Sequence, residues 1–274
     1  MLVRPLYINM KYKKFDQRIA DCIELLNDAP LDKINTILDI GAGEGQISLW
    51  FSERGKEVIA TGLEIDSYNL DKDELKEKNI NILECNVEKM PFENDSFDAV
   101  VLSHVLEHCL DISVVLQEVK RVLKNDGFLF LFVPPYSNYI ISGHATTGWN
   151  LGQLIYVLLL NGFNVKDGKF IHYGYNVCAF VQNSNIKLPP LRRDGGDINT
   201  LYKAGLFPEE LCFYDITFDG FKGDIQSINW NKKSKLKRKQ KIILAIFKLF
   251  HRSIRKKFVN YMKRLFDFLS LNTN

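Results

Sequence analysis

The sequence predicts an α/β protein built on a doubly wound, mostly parallel sheet, with a basic amphipathic helical tail behind it. Three observations carry this. Between residues 36 and 182, short apolar runs alternate with segments of helical periodicity, the pattern of strands joined by right-handed crossover helices. Phe128–Pro134 is apolar nearly throughout, as a strand buried on both faces is. Basic residues are concentrated beyond residue 230.

Residues 1–35 read as a leader with one helix, in which Phe15, Ile19, Cys22, Ile23 and Leu26 recur at helical spacing until Pro30. A domain over 36–182 follows. Its strands are expected at Thr36–Ile40, Glu57–Leu63, Asn79–Glu84, Phe97–Ser103 and Phe128–Pro134, with a terminal hairpin of Phe163–Lys169 and Tyr175–Val181. Helices are expected from Ile47 to Phe51, over Asp71–Lys78, over Ile112–Leu123 behind an Asp111 cap, and over Asn150–Asn161. Residues 183–230, broken by Pro189-Pro190, Gly195-Gly196 and Asp219-Gly220, form a loop-rich extension packed on the domain.

The composition narrows the function classes. With 274 residues, 46% hydrophobic and 25% charged, the chain is neither disordered nor collagen-like. Five scattered cysteines with no CxxC pair argue against a disulfide framework or a zinc knuckle and suit a reducing compartment. No run approaches the roughly 18 apolar residues of a spanning helix, so a soluble or surface-bound protein is expected, placed in the cytoplasm by its cysteine usage.

The most informative stretch is Ile37-Leu38-Asp39-Ile40-Gly41-Ala42-Gly43-Glu44-Gly45, a hydrophobic strand running into glycines at alternate positions and then a helix. Glycine permits a positive-φ turn and lets a ligand approach the backbone. Glu64 ends the next strand, where a carboxylate would accept hydrogen bonds from ribose hydroxyls. The dinucleotide fingerprint needs glycine at 46, which is Gln46, so a dehydrogenase loop is the poorer match.

These residues resemble the class I S-adenosylmethionine-dependent methyltransferases, and the resemblance continues in order over about residues 36–135. "ILDIGAGEG" is similar to their first motif, "VIATGLEID" to the second strand with its ribose-binding acid, "ILECNVEKMPFENDSFDAVVLSHVLEH" to the third and fourth strands, and "EVKRVLKNDGFLFLFVP" to the next helix and strand. The resemblance implies a Rossmann-like, seven-stranded sheet with an antiparallel last strand. It places Asp39, Gly41, Ala42 and Gly43 around the methionine part of S-adenosylmethionine, Glu64 at the ribose and Ile65 against the adenine. Asn86, with Val87, stands where the family often has an adenine-facing Asp, and Ser103 and His104 would border the sulfonium.

The acceptor should enter beyond the carboxyl ends of the fourth and fifth strands. Histidine is the natural base there, and His144 in Ser142-Gly143-His144-Ala145 is the first candidate, with His104 the second. His104 and His108 stand at i and i+4 with Glu107 between, but no third ligand is evident, so no metal is assigned. Trp149 and Asn150 either grip a sugar-like acceptor or serve packing.

Residues 231–274 hold 14 Lys/Arg against one acid, Asp267, leaving 1–230 at net −10. Ile243, Phe247, Phe250, Ile254, Phe258, Tyr261, Leu265 and Phe268 form an apolar stripe flanked by cations, a pattern suited to an anionic membrane surface. Packing on the domain or on a second subunit is the alternative. Nucleic acid is disfavoured, because the remainder is acidic. "GHATTGWNLGQL", "GYNVCAF", "DGGDI" and "FKGDIQSINW" are similar to bacterial methyltransferases of surface-polysaccharide synthesis. That resemblance implies O-methylation of a free or carrier-linked sugar at the inner face of the cytoplasmic membrane. Methylation of a lipid or quinone head group and a non-catalytic donor-binding scaffold are the competing expectations.

Overall fold

The computed structural model describes residues 16–63, 72–136, 143–146, 148–217, 219–223 and 225–230, without the side chains of Cys212 and Phe213. The tail expected over 231–274 lies outside the described residues, as do Glu64, Ile65 and Phe15.

In chain order the elements are α1 (Gln17–Leu26), β1 (Thr36–Ile40), α2 (Gln46–Ser52), β2 (Glu57–Gly62), α3 (Lys72–Glu77), β3 (Asn81–Glu84), β4 (Phe97–Ser103), α4 (Ile112–Val122) and β5 (Leu123–Val133). After these come α5 (Leu151–Leu160), β6 (Asn164–Tyr173), β7 (Asn176–Gln182), α6 (Asp197–Lys203) and three two-residue strands: β8 (Asp215–Ile216), β9 (Phe221–Lys222) and β10 (Ser227–Ile228). The main sheet runs β10-β6-β7-β5-β4-β1-β2-β3. The β5-β4-β1-β2-β3 block is parallel throughout, and β7 is antiparallel to both β5 and β6.

Alternation along the central strands divides the core into two layers. On β1, β4 and β5, Leu38, Ile40, Val100, Leu102, Leu129, Leu131 and Val133 face α4 and α5. Their neighbours Ile37, Ala99, Val101, Phe130 and Phe132 face α1 and α2. Side chains cap the helices where the sequence offers them. Asp111 accepts from the Ser113 and Val114 amides (3.0 and 3.1 Å), and Asn150 accepts from Gln153 N (2.8 Å).

Two expectations need correcting. The sheet has eight strands, not seven, because Ser227–Ile228 pairs antiparallel with Ile171 and Phe170 on the outer edge of β6. Ile228 and Trp230 are both buried there, so the end of the extension belongs to the sheet and its core. The fifth strand begins at Leu123 and not at Phe128. Leu123 pairs with Phe97, and the Asn183 amide donates to the carbonyls of Lys120, Leu123 and Lys124, holding the bulged start of the strand in place.

Candidate active site

From β1 the chain winds outward through β2 and β3, then crosses back to β4 and β5 on the other side. That reversal leaves a crevice at the carboxyl ends of β1, β2 and β4, where open α/β sheets bind ligands. A pocket of about 520 Å³ occupies it, within the 300–1,000 Å³ usual for small-molecule sites.

One wall is the glycine turn. Gly41 and Gly43 have φ of +67° and +56°, and the Ala42 amide donates to the Thr61 carbonyl (2.9 Å), tying the turn to β2. Gly41 is needed twice over, since a Cβ there would also lie 2.3 Å from Val105 Cγ2. A Cβ on Gly43 would meet nothing within 4 Å, so the requirement there is conformational alone.

Beneath the turn, and not lining the pocket, lies the fully buried Asp39, whose carboxylate accepts from Ser48 Oγ at 2.6 Å. Burial raises its pKa to about 7 against the opposing pull of the Ser48 hydrogen bonds. Asp39 therefore braces α2 against β1.

The floor and far wall include Thr61, Gly62, Leu63, Ile82, Cys85, Asn86 and Val87. Asn86 Oδ1 accepts from Glu88 N (2.9 Å), which fixes its side chain in a local turn. Leu63 and Leu110 line the pocket yet are 65% and 89% exposed, apolar surface that a bound ligand would cover. Burial raises the Cys85 thiol and lifts that of Cys109 to about 11, so neither supplies a thiolate near neutral pH.

The wall toward β5 is made of side chains. His104 follows β4 with φ +56° and lines the pocket. Both of its ring nitrogens are engaged: Nδ1 is 3.2 Å from Glu107 Oε1 and Nε2 is 2.8 Å from Asn176 Oδ1. Asn176 in turn donates from Nδ2 to the Arg18 carbonyl at the start of α1 (3.1 Å). Thus His104 shapes the wall and has no ring nitrogen open to take a proton from an acceptor.

His144 comes from the segment after β5 and packs edge-on against His108, with ring centroids 5.1 Å apart. The Thr146 amide donates to the Glu107 carbonyl (3.0 Å), fastening that segment to the Leu106–His108 turn. The sequence offered no third partner for the His-x-x-Glu-His stretch, and folding supplies one in His144.

Some expected site residues stand elsewhere. Ser103 is buried with its hydroxyl 3.8 Å from the Cys22 sulfur, on the α1 side of the sheet and away from the pocket. Trp149 is a core residue, and Asn150 caps α5 and lines a separate cavity beside that helix. Residues the sequence reading did not single out include Thr61, Gly62, Leu63, Cys85, Val105 and Leu110; a spacing rule that follows the carboxyl ends of β1, β2 and β4 would have found the first three.

Residues 38–131 match the family model described as a methyltransferase domain. Among curated proteins, the chain is similar to an uncharacterized methyltransferase, YcgJ, of Bacillus subtilis. The identity is 35% over 104 residues, covering 37% of this chain and 41% of that protein. It is also similar to the ubiquinone/menaquinone biosynthesis C-methyltransferase UbiE of Pectobacterium atrosepticum, at 31% over 102 residues, 35% of this chain and 41% of that one. The match thus spans about two fifths of those relatives' length. Among solved structures, a 1,6-didemethyltoxoflavin-N1-methyltransferase of Burkholderia thailandensis, with that substrate and S-adenosylhomocysteine bound, superposes with a TM-score of 0.52 at 17% identity. The superposition covers 61% of this chain and 79% of that one. A likeness at that identity speaks to the fold.

Proposed function

We propose that the protein transfers a methyl group from S-adenosylmethionine to a small acceptor, and that the acceptor atom is an oxygen of a sugar. The observation that carries the first part is the pocket at the sheet reversal, with its positive-φ glycine turn, inside the segment that matches a methyltransferase domain. S-adenosylmethionine is the methyl donor, an activated sulfonium that brings the hard chemistry with it. Gly41, Ala42 and Gly43 present backbone to its amino-acid end, while Val87, Leu63 and Asn86 offer an apolar face and a polar edge for a purine. Glu64 and Ile65 follow Leu63 directly and take the ribose and adenine roles that the family resemblance gives them. The protein's own work is to position the acceptor for in-line attack, exclude water and accept a proton.

The sugar assignment rests on the sequence resemblance over residues 143–230, which also supplies the surface-polysaccharide context, while the membrane-seeking role of 231–274 rests on its own apolar stripe and basic flanks. The similarity to UbiE favours a second reading, methylation of a quinone-type or lipid head group. Among the described residues no helix is long and apolar enough to cross a membrane.

The test gives methyl-labelled S-adenosylmethionine and the full-length protein to an extract of cells that lack it, then fractionates the products. Label in sugar nucleotides or glycolipids is expected. Label confined to simple lipids would move the assignment to the head-group reading. Donor binding without transfer to any fraction would leave a scaffold.

A further inference from the structure

Around His108, which lines the pocket, one carboxylate oxygen of Glu107 and one ring nitrogen each of His108 and His144 lie within 4.8 Å of one another. We propose that these three side chains form a site for a divalent transition-metal cation of the Mn²⁺, Fe²⁺, Co²⁺ or Zn²⁺ class, with open coordination positions facing the acceptor side.

The donor set selects the class. Two imidazole nitrogens and one carboxylate oxygen suit borderline transition metals, and three protein ligands leave room for water or a substrate oxygen. Mg²⁺ and Ca²⁺ favour oxygen donors throughout.

An independent observation points to the same place. Glu107 is 1% exposed, and its Oε2 is buried without a hydrogen-bond partner among the described residues. An unsatisfied buried carboxylate oxygen is costly, and a bound cation would satisfy it.

The surroundings are arranged as a ligating carboxylate requires. Oε1 is held by His104, His104 by the fully buried Asn176, and Asn176 by the Arg18 carbonyl of α1. Such outer partners orient a carboxylate and make it a better ligand. The Thr146–Glu107 backbone hydrogen bond keeps His144 beside this carboxylate although 36 residues separate it from His108 in sequence. Ligand atoms about 2.1 Å from a metal sit roughly 3.0–3.4 Å apart, so a cation would draw the two imidazoles slightly inward. His108 is exposed, which leaves its ring room for that adjustment.

Because His108 also lines the pocket, a bound cation would stand next to the donor and could take up an acceptor oxygen as a Lewis acid. A metal-bound His144 is no longer a proton acceptor, so on this proposal ligation replaces the base role expected for it. The site goes beyond the methyl-transfer reading, since cation binding needs neither donor nor acceptor.

The experiment uses full-length protein stripped with a chelator and titrated with Co²⁺, whose visible absorption reports nitrogen and oxygen ligation. A single saturable site is expected. Losing an outer partner typically weakens a metal site 10- to 100-fold, so losing a ligand in His108→Ala or His144→Ala should weaken it at least about tenfold. Both variants should keep the wild-type circular dichroism, since neither residue is buried, and His172→Ala should bind as wild type. No saturable binding by the wild type, or undiminished affinity in either His108→Ala or His144→Ala, overturns the proposal. Donor affinity, measured separately by equilibrium dialysis, tests the methyl-transfer reading without involving the cation.

Discussion

At the carboxyl end of β1 the chain presents backbone to the pocket. Gly41, Ala42 and Gly43 are contiguous, and their conformation is fixed by the strand before them and the helix after. On the side beyond β4 it presents side chains: His104 and His108 line the pocket, His144 packs against His108 from another segment, and Asn176 and the Arg18 carbonyl support His104 from two more. A wall built from local backbone tolerates almost no change in residue type but needs little from the rest of the fold. The wall built from distant side chains tolerates backbone change but depends on four segments meeting. On the methyl-transfer proposal, the first would hold the donor and the second would face the acceptor.

The largest effect that would sharpen this contrast comes from beneath the glycine turn. Asp39 titrates near 7 in the folded protein and near 3.8 when unfolded, so the native state binds the extra proton between those values. Stability should therefore fall as pH rises from about 4 to about 7 and level off above, by up to about 4 kcal/mol if the whole shift is realised. Urea midpoints across that range should show the slope, and Asp39→Asn should flatten it. A wild-type profile with no more slope than the variant would mean that burial does not hold Asp39 protonated across that range.

Next comes Gly41→Ala, which combines a left-handed backbone cost of about 1–2 kcal/mol with overpacking against Val105 of about 1–3. Donor affinity should drop about a hundredfold in equilibrium dialysis. Gly43→Ala carries only the backbone cost and should lose about fivefold to thirtyfold. Equal losses in the two would mean that the close approach to Val105 does not govern the turn. The smallest effect belongs to the opposite wall. His144→Ala should leave donor affinity within about 0.5 kcal/mol of wild type while lowering turnover, because His144 does not line the pocket that would hold the donor. A matching fall in donor affinity would erase the distinction between the walls.

Much of the backbone wall was legible in the sequence, because strand, turn glycines and helix are adjacent and each has a local physical reason. Thr36–Ile40 and Phe97–Ser103 coincide with the predicted strands, and Asp111 caps its helix as expected. Ser103 and Asp39 show a signal that was present and unused. By strand alternation Ser103 shares a face with Ala99 and Val101, and Asp39 with Ile37, all turned toward α1 and α2 and away from the pocket. The eighth strand was not readable, since two residues carry no period. Nor was the meeting of His144 with His108, which depends on a backbone hydrogen bond between segments with no shared pattern.

Trp230 donates from its indole to Asp28 Oδ2 at 2.8 Å and packs on Phe180 with ring centroids 4.7 Å apart, joining positions 202 residues apart in the chain. As the polypeptide leaves the ribosome, the hydrophobic layer beneath α1 and α2 therefore waits for the last of its described members until synthesis has passed residue 230. The glycine turn can form early from neighbouring residues, but the layer that backs it closes only once nearly the whole domain has been made, so a truncation just before Trp230 would leave a complete set of motifs on an unfinished core.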